Sequence, residues 1–241
     1  MNLILFDTSD IRADATVDAT GVQARHLVTV LKVTKDQQVR IGVVDGPLGV
    51  GTVTAVGDGR VTMDCTFEAE SPERPRVDLL LALPRPKVMR RLWAQLSALG
   101  VGQIILTNAS KVERDYFDTH LLEADGYRPL LLEGLQQARD TRMPVVSVHK
   151  QFRKLIEADL DGLFPKGRRI VAHPDGEATI AHTLGHSTER VLLAVGPEGG
   201  WNDFELALLR THGFTPVTMG PRTLTTTTAC IALLTLVHYQ R

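Results

Sequence analysis

Three short loops rich in glycine and proline are the segments best suited to bind a small molecule. They are Ala-His-Pro-Asp-Gly at 172–176, Gly-Pro-Glu-Gly-Gly at 196–200 and Gly-Pro-Arg at 220–222, and each follows a predicted strand. Glycine lets a backbone approach a ligand closely, and proline stiffens a turn. One such loop alone is more simply explained as a tight turn. Because ligands bind beyond the carboxyl ends of parallel strands, three of them predict a preformed pocket whose backbone groups can read an adenine edge.

Other ligand classes fit the sequence less well. Neither G-x-G-x-x-G nor G-x-x-x-x-G-K-[ST] occurs, which disfavours dinucleotides and nucleoside triphosphates. The motifs H-E-x-x-H and G-x-S-x-G are also absent. The two cysteines, Cys65 and Cys230, make no disulfide framework and no ligand cluster, so we expect no metal. His173 beside Pro174 is more typical of a pocket wall than of a metal ligand.

The charge distribution is uneven although the formal net charge is only −1. That value argues against a protein that binds nucleic acid by bulk charge. Positive charge is nevertheless concentrated in a window without acidic residues, at Arg85, Lys87, Arg90 and Arg91, and in a second group that includes Arg139 and Arg142. Such clusters are candidates for phosphate contacts, although a solvated helix face would have the same composition.

The elements that must position these residues fall into two parts. Residues 1–70 are predicted to be mostly β, with strands at 2–6, 38–44, 50–56 and 61–67 and a helix at 20–31. A helix on a small antiparallel sheet or barrel is the expected arrangement. The segment 69–75 contains two prolines among charged residues, and it is the predicted linker.

Strands and helices alternate after the linker. Strands are predicted at 77–83, 101–106, 145–148, 169–172, 190–195 and 215–219. Helices are predicted at 87–99, 127–139, 152–158, 203–211 and 228–239. This alternation predicts an α/β domain with a mostly parallel sheet and helices on both faces. No apolar run approaches the roughly 18 residues that span a bilayer, and no signal-peptide pattern is seen, so we expect a cytoplasmic protein without a membrane partner.

Six segments together resemble the RsmE family of the SPOUT superfamily, whose members methylate N3 of one uridine in 16S ribosomal RNA. The main ones are Gly-Pro-Glu-Gly-Gly-Trp at 196–201 and Met-Gly-Pro-Arg-Thr-Leu at 219–224, followed by a C-terminal helix. The others are His-Leu-Val-Thr-Val-Leu-Lys at 26–32, Leu-Gly-Val at 99–101, Gln-Ala-Arg at 137–139 and Ala-His-Pro at 172–174. Each is weak alone, but the combination covers nearly the whole chain and is specific.

The resemblance implies a fold and a cofactor. It implies a PUA-like RNA-binding β-barrel at 1–70 and a SPOUT methyltransferase domain with a trefoil knot at 76–241. It also implies a homodimer with the site near the interface. The knot's loops would bind S-adenosyl-L-methionine through Ala172, His173, Pro174, Gly196, Pro197, Glu198, Gly199, Met219, Gly220 and Leu224. The RNA partner, the 16S RNA of the 30S subunit, would be held by Arg85, Lys87, Arg90, Arg91, Arg139 and Arg142.

The sequence departs from the family at one loop. The family pattern Gly-x-Arg-x-Leu-Arg-x-Glu-Thr-Ala keeps five of its residues here, but Thr225 replaces the second arginine and Thr227 replaces the glutamate. The lost glutamate could have accepted the N3 proton, and the lost arginine could have stabilised a uridine anion. Arg222 is therefore the main catalytic candidate. Thr225 and Thr227 either contact RNA or belong to a loop that caps the last helix.

Two alternatives to N3-methylation remain open from the sequence. The first is an RNA-binding relative that keeps the cofactor pocket but has lost turnover, which the two threonine replacements motivate. The second is a SPOUT methyltransferase that acts on a different RNA.

Overall fold

A computed structural model of the chain describes residues 3–176 and 178–239. These residues form two compact units. The first contains the residues up to Arg74 together with Leu132–Met143, and the second contains Pro75–Leu131 and the residues from Pro144 onwards. The fold is mixed α/β, with one sheet in each unit. No helix within the described ranges is long and apolar enough to cross a membrane.

The first unit is built on a five-stranded sheet. Its strands are β1 (Ile4–Phe6), β2 (Thr16–Ala19), β3 (Gln38–Val43), β4 (Leu48–Gly57) and β5 (Arg60–Phe67), in the order β1-β3-β4-β5-β2. All strand pairs are antiparallel except β1 with β3. The three longest strands confirm the sequence predictions. The strand β2 was not predicted, and Asn2, the first residue of the predicted strand 2–6, lies outside the described residues.

Local sequence explains the turns and the interior of this sheet. Asp58 and Gly59 join β4 to β5, and both have positive φ, +52° and +70°, as a two-residue hairpin of the primed type requires. Alternate residues of β5, Val61, Met63 and Cys65, are buried, so one face of the strand forms the core. A short helix, α1 (Gly21–Arg25), continues as a π-helical turn, His26–Val30, and supplies the buried Leu27.

The segment Leu132–Met143 completes a second cluster in the first unit. It contains the end of helix α3 (Ala124–Ala138), and its Leu135 packs with Leu3 and Leu5 of the N-terminal segment. The Thr141 hydroxyl donates a 2.6 Å hydrogen bond to the carbonyl of Gly46. These contacts explain why a segment distant in sequence belongs to this unit, which helix periodicity alone did not predict.

The second unit contains a seven-stranded sheet in which all paired strands are parallel. Its strands are β6 (Val77–Ala82), β7 (Val101–Thr107), β8 (Val145–His149), β9 (Arg168–Ala172), β10 (Ala178–Thr179), β11 (Val191–Val195) and β12 (Phe214–Thr218), in the order β10-β12-β9-β11-β6-β7-β8. The predicted, mostly parallel sheet is confirmed. Both β6 and β11 are buried along their full length, as expected for parallel strands covered on both faces.

The helices of the second unit follow the predicted spacing with two differences. They are α2 (Pro86–Ala98), the first part of α3, α4 (Phe152–Lys154), α5 (Leu160–Leu163), α6 (Ile180–Leu184), α7 (Asp203–Thr211) and α8 (Thr226–His238). The predicted helix 152–158 instead runs through a π-helical segment, Leu155–Asp159, into α5. Neither β10 nor α6 was predicted, because both are too short for periodicity to show.

Removing apolar volume from the middle strand of this sheet should destabilise the second unit. Leu193 of β11 has no exposed surface, so Leu193→Ala should lower the free energy of unfolding by about 2–5 kcal/mol. Urea unfolding followed by tryptophan fluorescence measures this unit, because both tryptophans, Trp93 and Trp201, belong to it. Val145→Ala, in an exposed position of the edge strand β8, is the control and should cost less than about 1 kcal/mol. Equal losses in the two variants would contradict the assignment of β11 to the centre of the core.

Candidate active site

Three neighbouring strands of the second unit end beside one cavity. The strands β12, β9 and β11 are adjacent and parallel, so their carboxyl ends lie at the same edge of the sheet. The loops that follow them surround a cavity of about 220 Å³. Helix α8 completes the wall with Thr226, Ala229 and Leu233. This is the position at which open parallel sheets bind ligands.

The cavity brings together every residue that the resemblance implied for cofactor binding. All ten line it: Ala172, His173, Pro174, Gly196, Pro197, Glu198, Gly199, Met219, Gly220 and Leu224. The catalytic candidate Arg222 also lines it. Gly200 and Thr223, which belong to the segments selected from the sequence, line it as well. Sequence reasoning did not select the ends of the strands or the inner face of α8, which contribute Val195, Val217, Thr218, Thr226, Ala229 and Leu233. Their only sequence signal is that they flank the three loops.

Hydrogen bonds join the first loop to the third. The backbone N–H of His173 donates to the carbonyl of Val217 over 3.0 Å. The Thr218 hydroxyl donates to the carbonyl of Pro174 over 3.2 Å and accepts from the N–H of Gly220 over 3.1 Å. The His173 ring accepts a 3.2 Å hydrogen bond from the N–H of Asp175 at Nδ1, so in the neutral ring the proton is carried by Nε2.

The second loop is a tight turn that a lysine holds from outside. The N–H of Gly200 donates to the carbonyl of Pro197 over 2.8 Å, and Gly200 has a φ of +70°. The Nζ of Lys111 donates a 2.6 Å hydrogen bond to the carbonyl of Gly199. A Cβ on Gly199 would lie 2.6 Å from Cδ of Lys111, so the lysine stem packs directly on this glycine. The carbonyl of Gly199 is therefore fixed, while the side chain of Glu198 is exposed at the cavity.

The third loop leads into α8 through a threonine cap. The Oγ1 of Thr225 accepts a 3.4 Å hydrogen bond from the N–H of Thr228, and its side chain is the N-cap of the helix. Thr226 is buried and lines the cavity, whereas Thr225 and Thr227 are not among the lining residues. This geometry supports the capping alternative for Thr225, and the RNA contacts of Thr225 and Thr227 remain a prediction. Arg222 is exposed at the rim.

The first basic cluster lies at the start of α2 in the second unit. Its four side chains are all exposed: Arg85, Lys87, Arg90 and Arg91. The Nε of Arg85 donates to the hydroxyl of Tyr116 over 3.1 Å, and that hydroxyl donates to Glu113 over 3.0 Å. The hydrogen bond to Tyr116 is the main cause that raises the pKa of Arg85, and the negative charges of Glu113 and Glu198 raise it further. The negative charge of Glu198, the carboxylate at the cavity, therefore acts on Arg85.

The second basic group belongs to the first unit. Arg139 is exposed just beyond the end of α3 and has a φ of +61°. Arg142 is partly buried, and its guanidinium donates to the carbonyl of Pro72 and, over 2.9 Å, to the carbonyl of Asp45. These bonds give Arg142 a structural role within the first unit. Contacts of Arg139 and Arg142 with RNA remain a prediction.

Comparison with known proteins agrees with this site. Residues 71–238 match the family model described as an RNA methyltransferase domain. The ribosomal RNA small subunit methyltransferase E of Treponema pallidum is 26% identical over 240 residues, which cover 98% of this chain and 90% of that protein. The ribosomal RNA small subunit methyltransferase E 1 of Borreliella burgdorferi is 23% identical over 96% of this chain and 95% of its own.

A solved structure has the same fold. It is a ribosomal RNA small subunit methyltransferase E from Neisseria gonorrhoeae bound to S-adenosyl methionine, with a TM-score of 0.80 and 18% sequence identity. The similarity covers 99% of this chain and 97% of that one. The family match spans more than half of the chain and includes all three cavity loops, and the relatives confirm the resemblance to the RsmE family. The chain belongs to the family of RNA methyltransferase domains.

Proposed function

We propose that this protein transfers a methyl group from S-adenosylmethionine to N3 of a uridine in the 16S RNA of the small ribosomal subunit. One observation carries the proposal. Three adjacent parallel strands end in glycine- and proline-rich loops around a single cavity, in a chain that belongs to the RNA methyltransferase domain family. The relatives named above act on the RNA of the small ribosomal subunit, and their likeness extends over nearly the whole chain.

The residues of the cavity fit S-adenosylmethionine in shape and chemistry. The floor is apolar, with Val195, Val217 and Leu233, and suits a flat adenine ring. Gly196 and Gly220 let the backbone approach the ligand, and the backbone N–H and C=O groups of the loops can read the edge of the base. When bound, the cofactor supplies an electrophilic methyl group on a sulfonium. The ten predicted cofactor-binding residues would hold it.

Arg222 is the proposed catalytic residue. Methyl transfer requires mainly that N3 be aligned with the methyl carbon, which is a positioning task. As N3 loses its proton, negative charge spreads over the two uridine carbonyl oxygens. Arg222 lines the cavity and is exposed at its rim, so its guanidinium can stabilise that charge.

Phosphate contacts are expected mainly from the second unit. The cluster at the start of α2 has four exposed cations in a stretch of sequence without acidic residues: Arg85, Lys87, Arg90 and Arg91. Residues 1–74, in contrast, contain seven Lys and Arg against eleven Asp and Glu. The N-terminal unit would therefore recognise RNA by shape and hydrogen bonding, with Arg139 and Arg142 as its basic contributors.

We further propose the finer architecture that the family resemblance implies. The first unit would be a PUA-like RNA-binding barrel with residues 1–70 at its centre, and residues 76–241 would be a SPOUT domain with a trefoil knot. The path of the chain supports the knot: it leaves β12 on one side of β9, yet α8 packs over β11 and β6 on the other side. A threaded chain end would take this path.

A homodimer is part of the same proposal. Helix α8 buries Cys230, Leu233, Leu234 and Val237, while Leu236 and Tyr239 near its end are exposed. A second copy of the chain would cover these exposed side chains. A cytoplasmic location is part of the same proposal, because the proposed substrate is the small ribosomal subunit.

Purified protein should methylate small subunits directly. We expect incubation with S-adenosylmethionine and 30S subunits from a strain lacking the gene to produce 3-methyluridine, measured by nucleoside mass spectrometry of the 16S RNA. The same nucleoside should be missing from the RNA of that strain before incubation. If the deletion strain retains it, the proposed function is wrong. A methylated nucleoside in another RNA would indicate a retargeted enzyme, and no methylation of any RNA would indicate the non-catalytic relative.

Restoring the family's glutamate should separate a weakened enzyme from a retargeted one. The effect of Thr227→Glu on activity is easier to interpret than that of Thr225→Arg. Thr225 caps α8, and losing that cap costs about 1 kcal/mol of stability. We expect Thr227→Glu to raise the rate of uridine methylation in the 30S assay. Thr227→Gln, which has the same size without the charge, is the matched control. A fall in the rate with both variants would contradict the view that this position weakens the natural enzyme.

Neutralising the α2 cluster should weaken RNA binding and its dependence on salt. Each lost phosphate contact lowers the slope of log Kd against log salt by about 0.7–0.9, so Arg90→Ser with Arg91→Ser should reduce it by about 1.4–1.8. Filter binding of 16S RNA at several salt concentrations measures the slope. Arg210→Ser, an exposed arginine on α7, is the control. An unchanged slope in the double variant would show that this cluster does not contact phosphates.

A further inference from the structure

The proposed reaction needs a proton acceptor that the family pattern does not supply in this chain. Uridine N3 carries a proton at neutral pH, and that proton must leave when N3 bonds to the methyl carbon. A glutamate that could accept it is replaced by Thr227, which does not line the cavity. The acceptor should therefore be sought among the groups that do line it. This inference rests on the proposed function.

Three titratable side chains line the cavity within the described part of the chain: His173, Glu198 and Arg222. Arg222 is a permanent cation and cannot take up a proton. His173 uses Nδ1 to accept from the N–H of Asp175, and its Nε2 carries the ring proton, so the neutral ring can only donate towards a ligand. Glu198 is the one carboxylate among these three, and carboxylates are common general bases.

The backbone around Glu198 is held in place, and cationic side chains lie near it. Its turn is closed by the hydrogen bond from Gly200 to Pro197, and Lys111 holds the next carbonyl along the chain. Four groups act on it electrostatically or border the same cavity. They are Arg85, Lys111 beside the loop, and His173 and Arg222 on the cavity wall. The pKa of Arg85 is raised mainly by its hydrogen bond to Tyr116 and further by the charge of Glu198.

We propose that Glu198 is the general base of the methyl transfer. The lone pair of N3 attacks the methyl carbon and forms the N3–C bond. The bond from that carbon to sulfur breaks, and its electron pair stays on sulfur, which becomes a neutral thioether. The N3 proton passes to the carboxylate of Glu198, which later releases it to solvent. Arg222 stabilises the negative charge on the base while the proton is in transit.

The test is the pH dependence of the Glu198→Gln variant. The amide keeps the size of the side chain but accepts no proton, so we expect the single-turnover rate on 30S subunits to fall about 100-fold or more at pH 7. The rate should recover with rising pH, tenfold per unit, because ionised uridine then needs no base. The wild-type rate should depend less on pH, because its carboxylate takes up the proton. All rates are measured at saturating S-adenosylmethionine, and its affinity is measured separately by calorimetry.

Two control variants make the outcome specific. Glu198→Asp keeps a carboxylate and should retain more activity than the glutamine variant, with a wild-type pH profile. Asp203→Asn removes an exposed carboxylate of α7 that does not line the cavity, and it should keep the wild-type rate.

The proposal is overturned if Glu198→Gln keeps the wild-type rate and pH profile. It is also overturned if that variant only binds S-adenosylmethionine more weakly and reaches the wild-type rate at saturation. Glu198 would then contribute to cofactor binding and not to the proton transfer. Failure of the wild-type protein to methylate 30S subunits is a different result, because it refutes the proposed function before any variant is compared.

Discussion

The parallel direction and adjacency of three strands determine where this protein can do chemistry. The strands β12, β9 and β11 lie side by side, so the loops that follow them must meet although they begin at residues 219, 173 and 196. The strands are held by apolar side chains buried on both faces of the sheet, most completely in β11. The cavity therefore needs no lid or inserted segment to form, since the core of the unit positions its walls.

A few hydrogen bonds fix the three loops around the cavity. Thr218 joins the first loop to the third, Lys111 fixes the second, and Thr225 begins the helix that closes the cavity. Four glycines line the wall together with apolar side chains, which suits the recognition of a cofactor. In the proposed mechanism, Arg222 would stabilise the developing anion and Glu198 would take up the proton.

Much of this arrangement could be predicted from the sequence, for identifiable physical reasons. The apolar run at 191–195 is a buried parallel strand, and the helix predicted at 203–211 is α7, which begins at a capping box formed by Asn202 and Glu205. Each of the three loops was found because glycine and proline follow a strand. The order of the strands, in contrast, depends on packing between distant segments, and the pattern of apolar residues within one segment does not indicate it.

The contacts that the sequence did not predict join residues that are far apart along the chain. Lys111 reaches the carbonyl of Gly199 across 88 positions, and neither residue type signals the other. Leu135 joins the first unit because it packs on Leu3 and Leu5, which its helical period could not indicate. The capping role of Thr225 was one of two alternatives from the sequence, and the hydrogen bond from the N–H of Thr228 supports it.

The central claim is that the three strand-end loops form one S-adenosylmethionine site, and calorimetric titration tests it most directly. The account predicts that S-adenosylmethionine and S-adenosylhomocysteine each bind with a stoichiometry of one per chain, because each chain carries its own set of three loops. The absence of measurable binding by both ligands, in protein shown to be folded by circular dichroism, would contradict it.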